Sequence, residues 1–227
     1  MKCTILADGD FPSHELSLKA LREADHLYCC DASILKLEEW LGQGNTIRSK
    51  EIYVIGDGDS LGSHFWGKSP IGGLTVHYHN EKEQDFNDLT KAFRFALAHG
   101  ESDFTFVGAT GLREDHTLGN ISLMLYYLGI TDGHYPIRMI TDYGCFTPIC
   151  KSTTFNTFPR QQVSIFSLRP DARFSTEGLQ YPVSDQGFSL WWEGTLNAAL
   201  GDSFSILIPE EEQAGLLVYQ THEPKAI

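Results

Sequence analysis

Phe104-Thr105-Phe106-Val107-Gly108-Ala109-Thr110-Gly111-Leu112-Arg113-Glu114-Asp115-His116 is a short apolar run that breaks into a glycine-bearing loop. A helical stripe follows, with Leu118, Ile121, Leu125 and Leu128 on one face and Gly129 as its stop. Near-continuous apolarity marks a strand covered on both faces, as in a parallel sheet. The same unit recurs on either side. Residues 3–7, 26–30, 52–55 and 137–140 are further apolar runs of four or five residues. Between them, Ser13 can cap a helix running to residue 24, Ile34, Leu37 and Leu41 form a stripe that Gly42 stops, and Phe86, Leu89, Phe93 and Leu97 form a third ending at Gly100. Strand and helix in alternation predict right-handed crossovers and a doubly wound parallel-sheet α/β layer.

The pattern changes near residue 143. Residues 145–149, 153–158, 163–168, 187–194, 203–208 and 216–221 are β-rich runs set off by Gly, Pro, Asp or Asn, with no helical period longer than one turn. That spacing predicts an antiparallel sandwich or an open barrel. Two domains are expected, residues 1–143 and residues 144–227, a division that suits 227 residues.

Composition removes several classes of function. Hydrophobic residues make up 41% and charged residues 21%, so the chain can bury a core. Seventeen Lys and Arg against 30 Asp and Glu give a net charge of −13, the wrong sign for a nucleic-acid binder. An acidic chain can still take a nucleotide, because a bound cation reverses the local sign. The first eight residues reach Asp8 before a signal-peptide core forms, and no apolar run is long enough to span a membrane. Five cysteines (Cys3, Cys29, Cys30, Cys145, Cys150), without paired CxxC spacing, read as reduced thiols of a cytoplasmic protein.

In an open α/β sheet, ligands sit beyond the carboxyl ends of the strands. Asp31 follows the second run, Asp57 and Asp59 follow the third, and Arg113 and Asp115 follow the fourth. Asp85 and Asp88, three apart and so ~60° apart around a helix axis, stand at the start of the third helix. A single Asp after a strand is usually a turn residue or a helix cap. Four segments delivering acids to one rim are harder to ascribe to turns, and an all-oxygen set selects a hard cation such as Mg²⁺. His77 and His79 share one face of a strand whose edge is solvated, so a transition-metal site is not expected. The chain contains neither a GxxxxGK[ST] loop nor a GxSxG elbow. The residues leave open a Mg²⁺-dependent phosphohydrolase of a small phosphorylated metabolite, and a non-catalytic binder of a cationic ligand.

Several ordered segments together resemble the thiamine pyrophosphokinase family. Val54-Ile55-Gly56-Asp57-Gly58-Asp59-Ser60 resembles its GDxDS element. The stretch from Glu81 to Ala92, with Gln84, Asp85, Asn87 and Asp88, resembles its EKDxTDxxKAL helix start. The stretch from Gly108 to Asn120 resembles GxxGGRxDHxLxN; Glu177-Gly178-Leu179-Gln180-Tyr181-Pro182-Val183 and Gly194-Thr195-Leu196-Asn197-Ala198-Ala199 resemble GLxYPL and GTSNxA. Ala32 stands in place of Gly in DGA, Asn87 of Thr, Leu112 of Gly and Leu196 of Ser. The resemblance implies an α/β domain binding ATP and Mg²⁺, then a β-sandwich binding thiamine. It implies transfer of a pyrophosphoryl group from ATP to the thiamine hydroxyl with release of AMP, in a cytoplasmic homodimer whose sites lie between subunits. On that resemblance Asp57, Asp59 and Asp88 hold the metal, and Asp31 and Asp115 complete the shell. Arg113 stabilises the transferred charge, and Gln84 orients phosphate or bound water. Asp85 and Asn87 then flank the nucleotide site, while Trp191, Trp192, Thr195 and Asn197 serve the thiamine pocket.

Overall fold

The computed structural model describes residues 2–57, 71–212 and 215–224. The chain divides into two compact units, residues 1–123 with 139–142, and residues 124–138 with 143–227.

In the first unit the chain runs β1 (Cys3–Leu6), α1 (Glu15–Arg22), β2 (His26–Cys30), α2 (Ser33–Gly42), β3 (Glu51–Gly56), β4 (Thr75–Asn80), α3 (Asp88–Ala98), β5 (Phe104–Val107), α4 (Glu114–Ile130) and β6 (Ile137–Ile140). The division between the units falls inside α4. Strands β5-β1-β2-β3-β4 lie side by side in that order, all parallel, and β6 neighbours β5. Strands β1 and β5 are buried at every position, which is why they read as unbroken apolar runs. One core gathers Leu6, Leu27, Cys29, Val54 and Val107 from the strands with Leu21, Ile34, Leu37 and Trp40 from the helices.

Three readings of this half are corrected. Ser13 does not cap α1; His14 does, its Nδ1 accepting from the Leu16 N–H at 3.2 Å. The carboxylate of Asp142 instead holds the segment that leads into the helix. It accepts from the backbone N–H groups of Ser13 and His14, both at 3.0 Å, and from the Ser17 hydroxyl at 3.0 Å. Second, Leu118 is exposed on α4, whose buried residues are Met124, Tyr127 and Leu128, and the helix continues past Gly129. Apolar residues go nearly all round α4, so periodicity could not select its buried face. Third, Asp85 precedes α3, which starts at Asp88 with Asn87 as its cap. His77 and His79 do share a face: their rings pack on Tyr53 and Phe95, with centroids 4.9 and 4.4 Å apart.

In the second unit, β7 (Gly144–Ile149), β8 (Thr153–Asn156), β9 (Gln161–Ser167), β10 (Ser175–Glu177), β11 (Asn197–Ala198), β12 (Ser203–Leu207) and β13 (Leu216–Pro224) form two sets. They are ordered β11-β9-β13-β7 and β10-β12-β8, and every recorded pairing among them is antiparallel. Buried residues alternate along β9, and Val163, Ile165, Phe204, Ile206 and Val218 share one core. The choice between sandwich and barrel resolves as a sandwich. Residues 187–194 are not a strand. The Glu193 carboxylate accepts from the Ser189 N–H at 2.7 Å and the Leu190 N–H at 3.3 Å, and Trp191–Gly194 coils into a 3₁₀ turn. Trp191 and Trp192 therefore do not point to alternate faces of a strand.

The Asp142 contacts with Ser13, His14 and Ser17 outweigh the desolvation that would raise its carboxyl, and hold it below the usual carboxylate range. A carboxyl depressed in the folded state adds stability above its unfolded pKa, and loses it as pH falls through the folded value. Asp142→Asn should therefore lower unfolding stability by about 1 kcal/mol at pH 7. The gap from wild type should close below about pH 4. Urea melts of both proteins across pH 2.5–7 would check it, and a gap that stayed constant with pH would count against the charge.

Candidate active site

The strand order reverses at β1, with β2 on one side and β5 on the other, which opens a crevice beyond the carboxyl ends of these strands. The loops after β1 and β5 meet there. Gly9 N–H donates to the Gly108 carbonyl at 2.7 Å, and Asp10 N–H donates to the Thr110 carbonyl at 2.9 Å. A Cβ on residue 9 would stand 2.5 Å from both carbonyl oxygens, so glycine is required for this approach.

The crevice holds a cavity of about 480 Å³. Asp31, Asp57, Gln84, Asn87, Asp88 and Arg113 all line it. Asp31 is buried and sits in the left-handed region at φ 41°, its N–H donating to the Ile55 carbonyl at 2.9 Å. Aspartate tolerates that conformation better than most residues. The left-handed turn falls on Asp31 itself, and Ala32 has φ −69°, so an alanine at 32 carries no backbone penalty. Asp57 Oδ2 accepts from Gln84 Nε2 at 3.1 Å. Asn87 caps α3, its side-chain oxygen accepting from the Thr90 N–H at 3.0 Å and its amide donating to Asn120 Oδ1 at 3.1 Å. The Asp88 carboxylate is met by Lys91, whose Nζ lies 3.2 Å from Oδ1. Burial first, then the carboxylates of Asp88, Asp8 and Asp31, push the Cys30 thiol well above its usual range and keep it neutral.

Other candidates fall elsewhere. Asp59 lies outside the described residues. Asp85 is exposed and does not line the cavity. Asp115 is not among the lining residues; it grips the Arg113 guanidinium through two contacts, at 3.1 and 2.6 Å. Its hydrogen bond to Arg113 draws the Asp115 carboxyl down to about 2. Among the described residues, no three His, Cys, Asp or Glu side chains are grouped to hold a metal ion.

In the second unit, Asn197 is buried and fully engaged. Its Nδ2 donates to the Tyr181 carbonyl at 2.7 Å, and its Oδ1 accepts from the N–H groups of Tyr181 at 3.0 Å and Ala198 at 2.9 Å. The side chain thus pins the Leu179–Tyr181 segment. Trp192 is 68% exposed and Trp191 46%. The Thr195 hydroxyl donates to the Trp192 carbonyl at 2.7 Å and closes the turn that presents both indoles.

Sequence reasoning missed Lys91 and Leu112. Lys91 is buried, an unusual state for lysine, and its partner three residues away on one helix was a usable signal. Leu112 is exposed, lines the cavity and holds φ 59°, a conformation costing a leucine about 1–2 kcal/mol. The one signal in the sequence is that leucine stands where the resembled motif carries glycine.

The sequence model described as "Thiamin pyrophosphokinase, catalytic domain" matches residues 18–132, just over half of the chain. The one described as "Thiamin pyrophosphokinase, substrate-binding domain" matches residues 144–219. No curated protein matches the chain. Among solved structures, the chain is similar to thiamine pyrophosphokinase from Bacillus subtilis at TM-score 0.71 and 19% identity, over 96% of this chain and 98% of that one. It is similar to thiamin pyrophosphokinase from Candida albicans at TM-score 0.72 and 15% identity, over 97% and 89%. Yeast thiamin pyrophosphokinase gives TM-score 0.70 and 17% identity, over 96% and 86%. At these identities the structures establish the fold, and the two sequence models establish the family: the chain belongs to the thiamin pyrophosphokinase family.

Proposed function

We propose that this chain transfers the terminal pyrophosphoryl group of ATP to the hydroxyl of thiamine, giving thiamine diphosphate and AMP. The matched catalytic and substrate-binding domains support thiamine pyrophosphokinase activity. The observation that carries the nucleotide half is the single cavity lined by Asp31, Asp57, Gln84, Asp88 and Arg113. In this reading residues 1–143 bind ATP and residues 144–227 bind thiamine. A cytoplasmic homodimer with sites between subunits completes it; the five free thiols and the lack, among the described residues, of a helix able to cross a membrane are in keeping.

The side chains at the cavity suit a hard cation. Asp31, Asp57 and Asp88 offer only carboxylate oxygens, and no sulfur or imidazole competes for a metal except the neutral Cys30 thiol and the exposed His116. Asp57, Asp59 and Asp88 are the residues proposed to hold Mg²⁺, with Asp31 completing the shell. The ion would supply neutralisation of the triphosphate charge.

The rest is positioning. The thiamine oxygen attacks the β-phosphorus, the bond from that phosphorus to the α,β-bridging oxygen breaks, and AMP leaves with the bridging oxygen. The hydroxyl proton passes to a carboxylate of the rim or to water. Reactions of this kind leave the protein mainly alignment and charge stabilisation to provide. Lys91 holds Asp88 in place, and Gln84 holds Asp57. Arg113 enters the reaction by exchanging part of its fork on Asp115 for phosphate oxygens, the pairing guanidinium geometry favours. Asp115 thus acts as the parking partner of Arg113. Trp191 and Trp192 offer flat apolar faces to the cationic thiazolium ring of thiamine.

Incubation with ATP and Mg²⁺ should release AMP only when thiamine is present. Phosphate release without thiamine would instead mark a phosphohydrolase, and thiamine binding without AMP a non-catalytic binder. Asp57→Ala should lower kcat/KM at least 10³-fold, as expected for loss of a group that would hold the ion neutralising the triphosphate. Its thermal melt should stay cooperative, because removing one of several mutually repelling carboxylates relieves strain in the free protein. A variant that lost its melting transition would show Asp57 to be structural.

A further inference from the structure

We infer that Leu112 is a specificity residue that covers the base of the nucleotide whose phosphates occupy the acidic cavity; this rests on the ATP reading given above. Three observations converge on it. Leu112 lines the cavity, its side chain is 68% exposed, and it holds a left-handed backbone at φ 59°. A leucine in that conformation is both strained and wet, although glycine would serve the turn without strain. A contact that the free protein does not make would offset both costs.

The other apolar groups of the cavity are already engaged. Ala7, Leu89 and Ala109 are buried, and the Arg94 guanidinium lies 3.8 Å from the centre of the Phe86 ring. Among the described residues, Leu112 is left as the large apolar side chain in that wall able to take up new contacts. Its neighbour Arg113 lines the same cavity; with Arg113 on phosphate, as proposed above, the group one residue away would lie beside whatever is covalently joined to the phosphate chain. For a nucleoside triphosphate, that group is the nucleoside. An aliphatic side chain discriminates by covering a flat ring, and it favours a purine over the smaller pyrimidine through buried area.

Two variants separate contact from backbone. Leu112→Ala keeps a Cβ and the left-handed cost but removes the apolar bulk, and Leu112→Gly also frees the backbone. Calorimetric titration of wild type and both variants uses ATP, CTP and inorganic tripolyphosphate, each with Mg²⁺. Both variants should bind Mg-ATP about five- to tenfold more weakly than wild type, and lose most of the preference for ATP over CTP. Mg-tripolyphosphate should bind all three proteins equally, because it has no base to cover. Leu112→Ala binding Mg-ATP as wild type does would overturn the inference. So would an equal loss for ATP and tripolyphosphate, which would place the effect in the phosphate loop. A change of oligomeric state in sedimentation with Mg-ATP affinity intact would make Leu112 an interface residue and overturn it too. Wild type failing to bind Mg-ATP at all would overturn the nucleotide reading itself.

Discussion

Carboxylates gathered in one cavity repel one another, and the first unit is organised around that repulsion. Two unit charges about 5 Å apart in a partly shielded site interact by about 3 kcal/mol. The parallel strands create the difficulty, because every one of them delivers its following residue to the same edge of the sheet. Asp8, Asp31 and Asp57 follow β1, β2 and β3 for that reason, and α3 adds Asp88 from its first turn. The chain relieves it piecemeal. Lys36 pairs with Asp8 at 2.8 Å, Lys91 with Asp88, and Gln84 donates to Asp57. These contacts leave a cavity wall that is acidic and held in place, a poor host for a bare triphosphate.

That property ties fold to chemistry. A site meant to hold phosphate directly would present amides and basic side chains, as helix N-termini and glycine-rich loops do. Here the loops after β1 and β5 spend backbone donors on each other, Gly9 on Gly108 and Asp10 on Thr110. On the proposed reading phosphate would enter such a site as a cation complex, which suits a transfer whose transition state asks for alignment and charge neutralisation more than for covalent help. The two-part division of the family models, catalytic then substrate-binding, follows the same split between acidic crevice and aromatic turn.

Much of this was legible in the residues. Buried strands such as Phe104–Val107 and His26–Cys30 read directly, because burial on both faces leaves an unbroken apolar run. The acids at strand ends read for the same topological reason. What failed was whatever depended on which side chain captured a given backbone amide. Ser13 looked like a helix cap, yet His14 supplies the acceptor, and the Asp142 carboxylate, 129 positions away, takes the amide of Ser13 itself. Residues 187–194 had strand composition, yet Glu193 captured their amides in a local turn. Asn197 read as a ligand residue on resemblance alone, and nothing in its residue type foretold that its amide also holds the backbone of Tyr181 and Ala198. The strain on Leu112 was signalled only by the glycine that the resembled motif carries there, because backbone conformation at one residue is set by the loop around it.

The central claim is that the carboxylates of the crevice admit a triphosphate only together with a divalent cation. Calorimetric titration of the full chain with ATP in millimolar Mg²⁺, and again in excess chelator, tests it most directly, with thiamine titrated under both conditions as the contrast. ATP affinity should fall by two orders of magnitude or more when the cation is withdrawn, about 3 kcal/mol, because one partly shielded charge pair already costs that much. Thiamine, a cation that needs no metal to approach an acidic surface, should bind within a fewfold of its original affinity. Equal ATP affinity with Mg²⁺ and with chelator would contradict the account, since the acids would then not stand at the phosphate site.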